Sequence, residues 1–286
     1  MNDPGKIRNI ALVGHRGTGK TSLLEGLLYK AGVVNRLGHV VEGTTVSDYD
    51  DDEKRRQLSL SAGLAHIERK GLSFNLIDTP GDSSFLADTI AGLRVVETAL
   101  VVVNSVLGVE VQTERLWARA DDRGLARILF CNMLDRERAD FAVAVDHLRE
   151  AFGTQVVAVE IPVGSEHEFK GVVDLFSMKA HVYEGEKATE GDVPADLVAA
   201  AEEARSKLVE AVAETDDELL EKFFAEEEIT TAELETAFAN AVAAAKLFPV
   251  AAGSATHLIG VDRLLDLLAL APGKLPRHIP DAWRGD

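Results

Sequence analysis

Eight residues near the N-terminus have the types and spacing needed to hold a chain of phosphates. The segment 14–21 is GHRGTGKT, which matches the pattern G-x-x-x-x-G-K-[ST] at every fixed position. Gly17 and Gly19 let the backbone turn its N–H groups toward phosphate oxygens. Lys20 supplies a positive charge for the terminal phosphates, and the Thr21 hydroxyl is a hard ligand for Mg²⁺. The candidate phosphate-binding residues are Gly14, His15, Arg16, Gly17, Thr18, Gly19, Lys20, Thr21 and Ser22.

A second group of candidate residues follows the apolar run 72–77. An aspartate at the end of a strand, here Asp78, can hold Mg²⁺ through water. The backbone N–H of Gly81 can donate to a terminal phosphate. Taken alone, this segment is equally typical of a Pro-Gly turn, but the upstream phosphate loop favours a role at the phosphates. The candidate residues are Asp78, Thr79, Pro80, Gly81 and Asp82.

A third group has the chemistry to recognise a purine. The segment 132–135 follows the apolar run 128–131. The Asp135 carboxylate can accept two hydrogen bonds from guanine, one from the ring N–H and one from the exocyclic amine. Adenine lacks this pair of donors, so the segment predicts selectivity for GTP. The candidate residues are Asn132, Met133, Leu134 and Asp135, together with Ser254 and Ala255, where a backbone N–H could donate to the guanine oxygen and where a plain loop is the alternative.

The elements that must position these residues alternate between strands and helices. Apolar runs predict strands, and helical spacing of leucines and other apolar residues predicts helices between them. This alternation is typical of a mostly parallel sheet with helices on both faces, whose strand ends carry the ligand site. Strands are predicted over 7–13, 72–77, 98–103, 128–131, 155–159 and 247–252, and helices over 20–31, 87–96, 112–120, 140–152 and 260–270.

The pattern changes near residue 161. Short strands are predicted over 164–183, and long helices rich in alanine and glutamate over 195–224 and 231–245. We therefore expect an α/β core that is interrupted by an inserted α+β subdomain. The predicted division is core over 1–160 and 247–272, insertion over 161–246, and a linker over 273–286 that Pro272, Pro276 and Pro280 introduce.

Composition excludes several classes of protein. The formal net charge is −18, and between Glu184 and Glu235 there are 18 acidic and 4 basic residues, so this segment carries −14 of the total. Such a charge argues against nucleic-acid binding through a basic surface. The single cysteine, Cys131, excludes a disulfide scaffold and fits a reducing cytoplasm. No apolar run approaches the ~18 residues that a membrane span needs.

The ordered motifs resemble the GTPases of the translation-factor group, and most closely the elongation factor G family. The resemblance extends beyond the nucleotide motifs and covers residues 7–272. It is carried by LDRERADF at 134–141, GVEVQTERLWARA at 108–120, FKGVVDL at 169–175 and LVEAVAETDDELLEKF at 208–223. The resemblance implies a P-loop GTPase G domain. Full-length members continue into a β-barrel and three further domains, so a G-domain module is expected here.

The resemblance also implies an activity and its participants. We expect GTP hydrolysis to GDP and phosphate, with Lys20, Gly81 and Asp82 at the catalytic position. Mg²⁺ would be held by Thr21, Ser59 and Asp78. The ribosome is the expected partner of a monomer in the cytoplasm, without sequence-specific binding to nucleic acid. The acidic insertion would contact the ribosomal stalk proteins, whereas charge alone favours a solvated face.

The sequence departs from the family pattern at four places, several of which belong to the hydrolytic machinery. Asp82 stands where the family has a histidine, and Gly17 where it has an aspartate that helps to bind a monovalent cation. Met133 replaces a lysine that lies along the guanine. The usual Arg-Gly-Ile-Thr becomes RQLS at 56–59. These changes predict weak intrinsic turnover. The alternative is a non-hydrolysing GTP/GDP-binding module for ribosome interaction, or a factor of the ribosome-protection type.

Overall fold

A seven-stranded sheet forms the centre of the chain in the computed structural model, which describes residues 3–271. The strands of the described chain are β1 (Ile7–Val13), β2 (Gly63–Arg69), β3 (Leu72–Asp78), β4 (Thr98–Asn104), β5 (Ala126–Asn132), β6 (Val156–Ala158), β7 (Glu160–Val163), β8 (Gly171–Asp174), β9 (Lys179–Glu184), β10 (Lys187–Asp192) and β11 (Phe248–Ala252). The large sheet has the order β2-β3-β1-β4-β5-β11-β6. Its strands pair in parallel, apart from the antiparallel pair β2 and β3. The predicted fold class is therefore confirmed.

Helices cover both faces of this sheet. The α-helices of the described chain are α1 (Lys20–Lys30), α2 (Asp51–Arg56), α3 (Leu86–Leu93), α4 (Val111–Asp121), α5 (Phe141–Phe152), α6 (Val198–Ala213), α7 (Asp217–Phe224), α8 (Thr231–Ala243) and α9 (Val261–Leu270). Successive residues of β1 point to opposite faces: Ile10 packs in the cluster with α1 and α9, and Ala11 in the cluster with α3, α4 and α5. Because both faces are buried, the central strands are continuous apolar runs.

The predicted single helix over 195–224 is wrong, because the chain forms two helices there. Asp216 adopts an extended conformation between α6 and α7 and accepts hydrogen bonds from the N–H groups of Glu218 and Leu219. This is the geometry of an N-cap, which satisfies the free donors at the start of α7. The aspartate therefore separates the two helices within a segment that is otherwise rich in alanine, leucine and glutamate.

A second sheet with the order β10-β9-β8-β7 is antiparallel. Together with α6, α7 and α8 it occupies the segment between β6 and β11. The division at 161 and 246 stays a prediction, and the predicted linker with Pro272, Pro276 and Pro280 lies outside the described residues. Among residues 3–271, no helix combines the length and the apolar character that crossing a bilayer requires.

Candidate functional site

The loop between β1 and α1 has two positions where a positive φ and close neighbouring atoms favour glycine. Gly14 has φ +147°, and a Cβ there would lie 2.3 Å from the Val102 carbonyl oxygen. Gly19 has φ +87°, and a Cβ there would lie 2.4 Å from Nδ2 of Asn132. The loop is thus pressed against the ends of β4 and β5. Because Gly19 is the N-cap of α1, the positive end of that helix dipole faces the loop.

The Lys20 ammonium is buried inside this loop. Its Nζ donates to the carbonyl oxygens of Gly14, at 3.1 Å, and His15, at 2.8 Å. Burial lowers the pKa of Lys20 to about 8, and nearby carboxylates, Asp78 first among them, partly oppose this shift. The hydrogen-bond partners of this buried ammonium are backbone carbonyl groups. It is therefore suited to bind an anion, because a phosphate would stabilise its charged form.

Three side chains predicted to hold Mg²⁺ meet beside Lys20. Oγ1 of Thr21 donates to Oδ2 of Asp78 at 2.7 Å and lies 3.1 Å from Oγ of Ser59. Asp78 is 1% exposed, and its Oδ1 has no hydrogen-bond partner among the described residues. Burial raises the pKa of Asp78 to about 6. Two hydroxyls and a buried, under-used carboxylate are the hard oxygen ligands that Mg²⁺ prefers, so the donor set fits this ion.

Two further residues of this site lie outside the motifs that the sequence contains. Oγ of Ser47 donates to Oδ2 of Asp78 at 2.9 Å. Asp48 lines a cavity of about 200 Å³ together with residues of the phosphate loop, and burial raises the pKa of Asp48. Both lie between α1 and α2, where the path of the chain brings them to the site. The only signal in the sequence was a hydroxyl followed by a carboxylate in a polar segment.

The loop after β3 is held by hydrogen bonds from side chains of the loop and of α3. Oγ1 of Thr79 donates to the Leu12 carbonyl at 2.6 Å, and Oγ1 of Thr89 donates to the Pro80 carbonyl at 2.8 Å. Oδ1 of Asp82 accepts the Ser84 N–H at 2.9 Å. This hydrogen bond, with a smaller contribution from Arg16, lowers the pKa of Asp82. The Asp82 carboxylate caps a turn and is a weak base.

The end of β5 lies against the same phosphate loop. Nδ2 of Asn132 donates to the Thr18 carbonyl at 2.8 Å, and its Oδ1 accepts the Ala255 N–H at 2.9 Å. The asparagine thus links two of the predicted segments. The Leu134 N–H donates to the Gly253 carbonyl at 3.3 Å, which holds the third segment in register with them.

The two carboxylate oxygens of Asp135 differ: one lies near two basic side chains, and the other has no hydrogen-bond partner among the described residues. Its Oδ2 lies 3.4 Å from Nδ1 of His257 and 3.8 Å from Nε of Arg136. Its Oδ1 is buried and has no hydrogen-bond partner in the part of the chain that the structure describes. No motif points to His257, which from sequence is an ordinary histidine. A buried carboxylate oxygen without a hydrogen-bond partner is expected where a hydrogen-bond donor of a bound molecule contacts the protein.

The N–H groups of the last predicted segment already have partners. The Ala255 N–H donates to Asn132, and the Ser254 N–H donates to the Ile259 carbonyl at 3.0 Å. A hydrogen bond from Ala255 to a guanine oxygen would therefore have to be shared with Asn132. Met133 lies beside the phosphate loop and lines the same cavity as Lys20.

Comparison with known proteins agrees with this geometry. Residues 5–272 match the elongation factor Tu GTP binding domain family. An elongation factor G-like protein of Thermotoga maritima is 38% identical over 275 residues, which are 95% of this chain and 39% of that protein. The chain belongs to the elongation factor Tu GTP binding domain family and is similar to elongation-factor-G-like proteins. The crystal structure of a protein from Thermus thermophilus has a TM-score of 0.89 at 37% identity, over 94% of this chain and 40% of that one.

The family assignment confirms the predicted resemblance. The chain is a GTP-binding G domain of the elongation-factor-G-like type, and it spans about two fifths of the length of these relatives. The matches do not favour the alternative of a non-hydrolysing module or a ribosome-protection factor.

Proposed function

We propose that this G domain binds GTP with Mg²⁺ and hydrolyses it slowly to GDP and phosphate during an action at the ribosome. The phosphate loop with Lys20 would bind the phosphates. Thr21, Ser59 and Asp78 would hold Mg²⁺, and Asp135 would recognise guanine.

The free oxygen of Asp135 supports this proposal most directly. It is buried, lacks a partner among the described residues, and belongs to a segment that Asn132 ties to the phosphate loop. A guanine ring N–H would satisfy it, whereas adenine presents an acceptor at that ring position. The cost of leaving a buried carboxylate unsatisfied is the source of the selectivity.

The residues at the terminal phosphate are suited to charge stabilisation rather than to proton abstraction. Lys20 and the Gly81 N–H would stabilise the charge that develops on the transferred phosphoryl group. Asp82 is committed to Ser84 and its pKa is lowered, so it is poorly able to take a proton from water. Its negative charge beside a triphosphate opposes the reaction. Slow turnover follows from these properties.

The ribosome and its stalk proteins are the proposed partners, with the acidic insertion as the contact to the stalk. Support comes from family membership and from the exposed acidic surface of α6 and α7. The domain would act as a monomer in the cytoplasm. When bound, Mg²⁺ would neutralise phosphate charge next to Asp78.

The test is GTP turnover measured with and without ribosomes, for the native protein and for Asp82→His. We expect a slow native rate that ribosomes stimulate, and a faster ribosome-dependent rate for Asp82→His because the substitution removes the repelling charge. GDP affinity serves as the control, since Asp82 lies away from the predicted base site. Absence of GTP turnover in both proteins, with GDP still bound, would contradict the proposed hydrolysis.

A further inference from the structure

An ion pair joins the phosphate loop to the loop after β3. A guanidinium nitrogen of Arg16 lies 3.6 Å from Oδ2 of Asp82. The carboxylate is stationary, because its other oxygen accepts the Ser84 N–H. The arginine side chain is 58% exposed. Of the two partners, the arginine is thus the one that is free to change its contact.

Arg16 lies where the predicted phosphate contacts converge. A Cβ built on Gly81 would lie 2.4 Å from Nζ of Lys20 and 2.8 Å from the backbone nitrogen of Arg16. Arg16, Lys20 and Gly81 also line the same cavity. The loop backbone and a buried ammonium therefore lie close to Gly81, and the side chain of Arg16 starts from this part of the loop.

We propose that Arg16 binds the terminal phosphate of GTP and thereby distinguishes GTP from GDP. This inference rests on the proposed function. The guanidinium would leave Asp82 and donate two parallel hydrogen bonds to the terminal phosphate, a geometry for which its planar fork is suited. An exposed ion pair contributes little to stability, so this exchange costs little. GDP lacks the terminal phosphate and leaves the guanidinium on Asp82.

The charges around the cavity support this role. Asp48 lines the cavity and is buried, Asp78 is buried and accepts a hydrogen bond from Thr21 of the lining, and Asp82 pairs with Arg16. Among the described lining residues of this cavity, the cations are Lys20 and Arg16. A triphosphate that enters this acidic surrounding requires positive charge in addition to Lys20, and Arg16 in the same lining can supply part of it.

The experiment measures the affinities for GDP and for the β,γ-imido analogue of GTP, by calorimetry with Mg²⁺. For Arg16→Ala we expect roughly tenfold weaker binding of the analogue and a much smaller change for GDP. Arg16→Lys keeps the charge but loses the paired hydrogen bonds, so its loss should be intermediate. Arg119→Ala is the matched control, because Arg119 is 59% exposed and pairs with Asp122 at the same distance of 3.6 Å, but on α4.

Asp82→Asn tests the exchange itself. Asparagine can still cap the turn at Ser84, but it no longer attracts the guanidinium, so the preference for the analogue over GDP should increase. An unchanged or smaller preference would contradict the exchange. Equal losses of both nucleotides in Arg16→Ala, or no loss, would overturn the role of Arg16. If the native protein bound neither nucleotide, the proposed function would fail instead.

Discussion

Single atoms carry the proposed specificity of this site. The nearest neighbour of a Cβ added at Gly19 is the amide of Asn132, and the free oxygen of Asp135 lies three residues beyond that amide. A change of one or two atoms in this group is therefore expected to alter nucleotide binding much more than stability. The following two predictions concern this scale.

Gly19→Ala should abolish nucleotide binding. The new Cβ would lie 2.4 Å from Nδ2 of Asn132, and φ +87° is unfavourable for alanine. Either the loop or Asn132 must then move. The control is Gly191→Ala, where an added Cβ has no neighbour within 4 Å. Titration with fluorescent GDP measures the difference, and retained affinity in Gly19→Ala would count against the proposed role of this loop as the phosphate cradle.

Asp135→Asn should change the binding preference of the protein from guanine to xanthine nucleotides. Xanthine has a carbonyl oxygen where guanine has its exocyclic amine, and an asparagine amide can donate to that oxygen. Loss of a buried charged partner predicts roughly 100-fold weaker GDP binding. Competition between GDP and xanthosine diphosphate gives the readout. Undiminished GDP affinity would show that Asp135 does not contact the base.

Individual elements differ in how clearly their sequences predict them. β4 and β5 were predictable because they are buried on both faces and form continuous apolar runs. β2 lies at the edge of the sheet and alternates buried and exposed residues, and β10 is exposed at every position, so neither has an apolar run. Ser47 and Asp48 could not be placed, because only the folded path of their segment brings them to Asp78.

The start of α8 offers a test at this scale. Oγ1 of Thr230 accepts the Glu233 N–H, and the Glu233 carboxylate accepts the Thr230 N–H, which is a complete capping box. Thr230→Ala should lower the free energy of unfolding by about 1 kcal/mol. Thr231→Ala, one residue into the helix, is the matched control with little expected effect. Urea unfolding measures both, and equal stabilities would show that the cap contributes nothing.

At the scale of the whole molecule, buried and partly buried polar side chains connect the two sheets. Glu160 on β7 accepts the Ala252 N–H of β11 at 3.0 Å. Arg263 on α9 lies 2.8 Å from Asp174 on β8 and 3.2 Å from Asp266. Because Ala252 immediately precedes the segment with Ser254, this network joins the second sheet to the predicted base site. None of these residues was singled out from sequence, since no spacing connects them.

Glu160 should make the stability of the protein depend on pH. Burial raises the pKa of Glu160 to about 8, against the opposing effects of Ala252 and Arg263. Between its ordinary pKa and about 8 the folded protein holds a proton that the unfolded chain has lost, so stability falls as pH rises, by up to ~1.4 kcal/mol per pH unit.

Glu160→Gln cannot ionise and keeps an acceptor for the Ala252 N–H. We expect the variant to gain stability relative to the native protein as pH rises from 5 to 8. Glu202→Gln, at an exposed position on α6, is the control. Unfolding curves recorded across this interval test the prediction, and parallel curves for Glu160→Gln and native protein would refute it.

The most direct test of the central claim compares GTP and ATP by calorimetry with the native protein and Mg²⁺. If the free oxygen of Asp135 recognises guanine above a phosphate-binding loop, GTP should bind at least about 100-fold more tightly than ATP. Equal affinities would contradict the account, because the phosphate loop would then act without a guanine-specific contact.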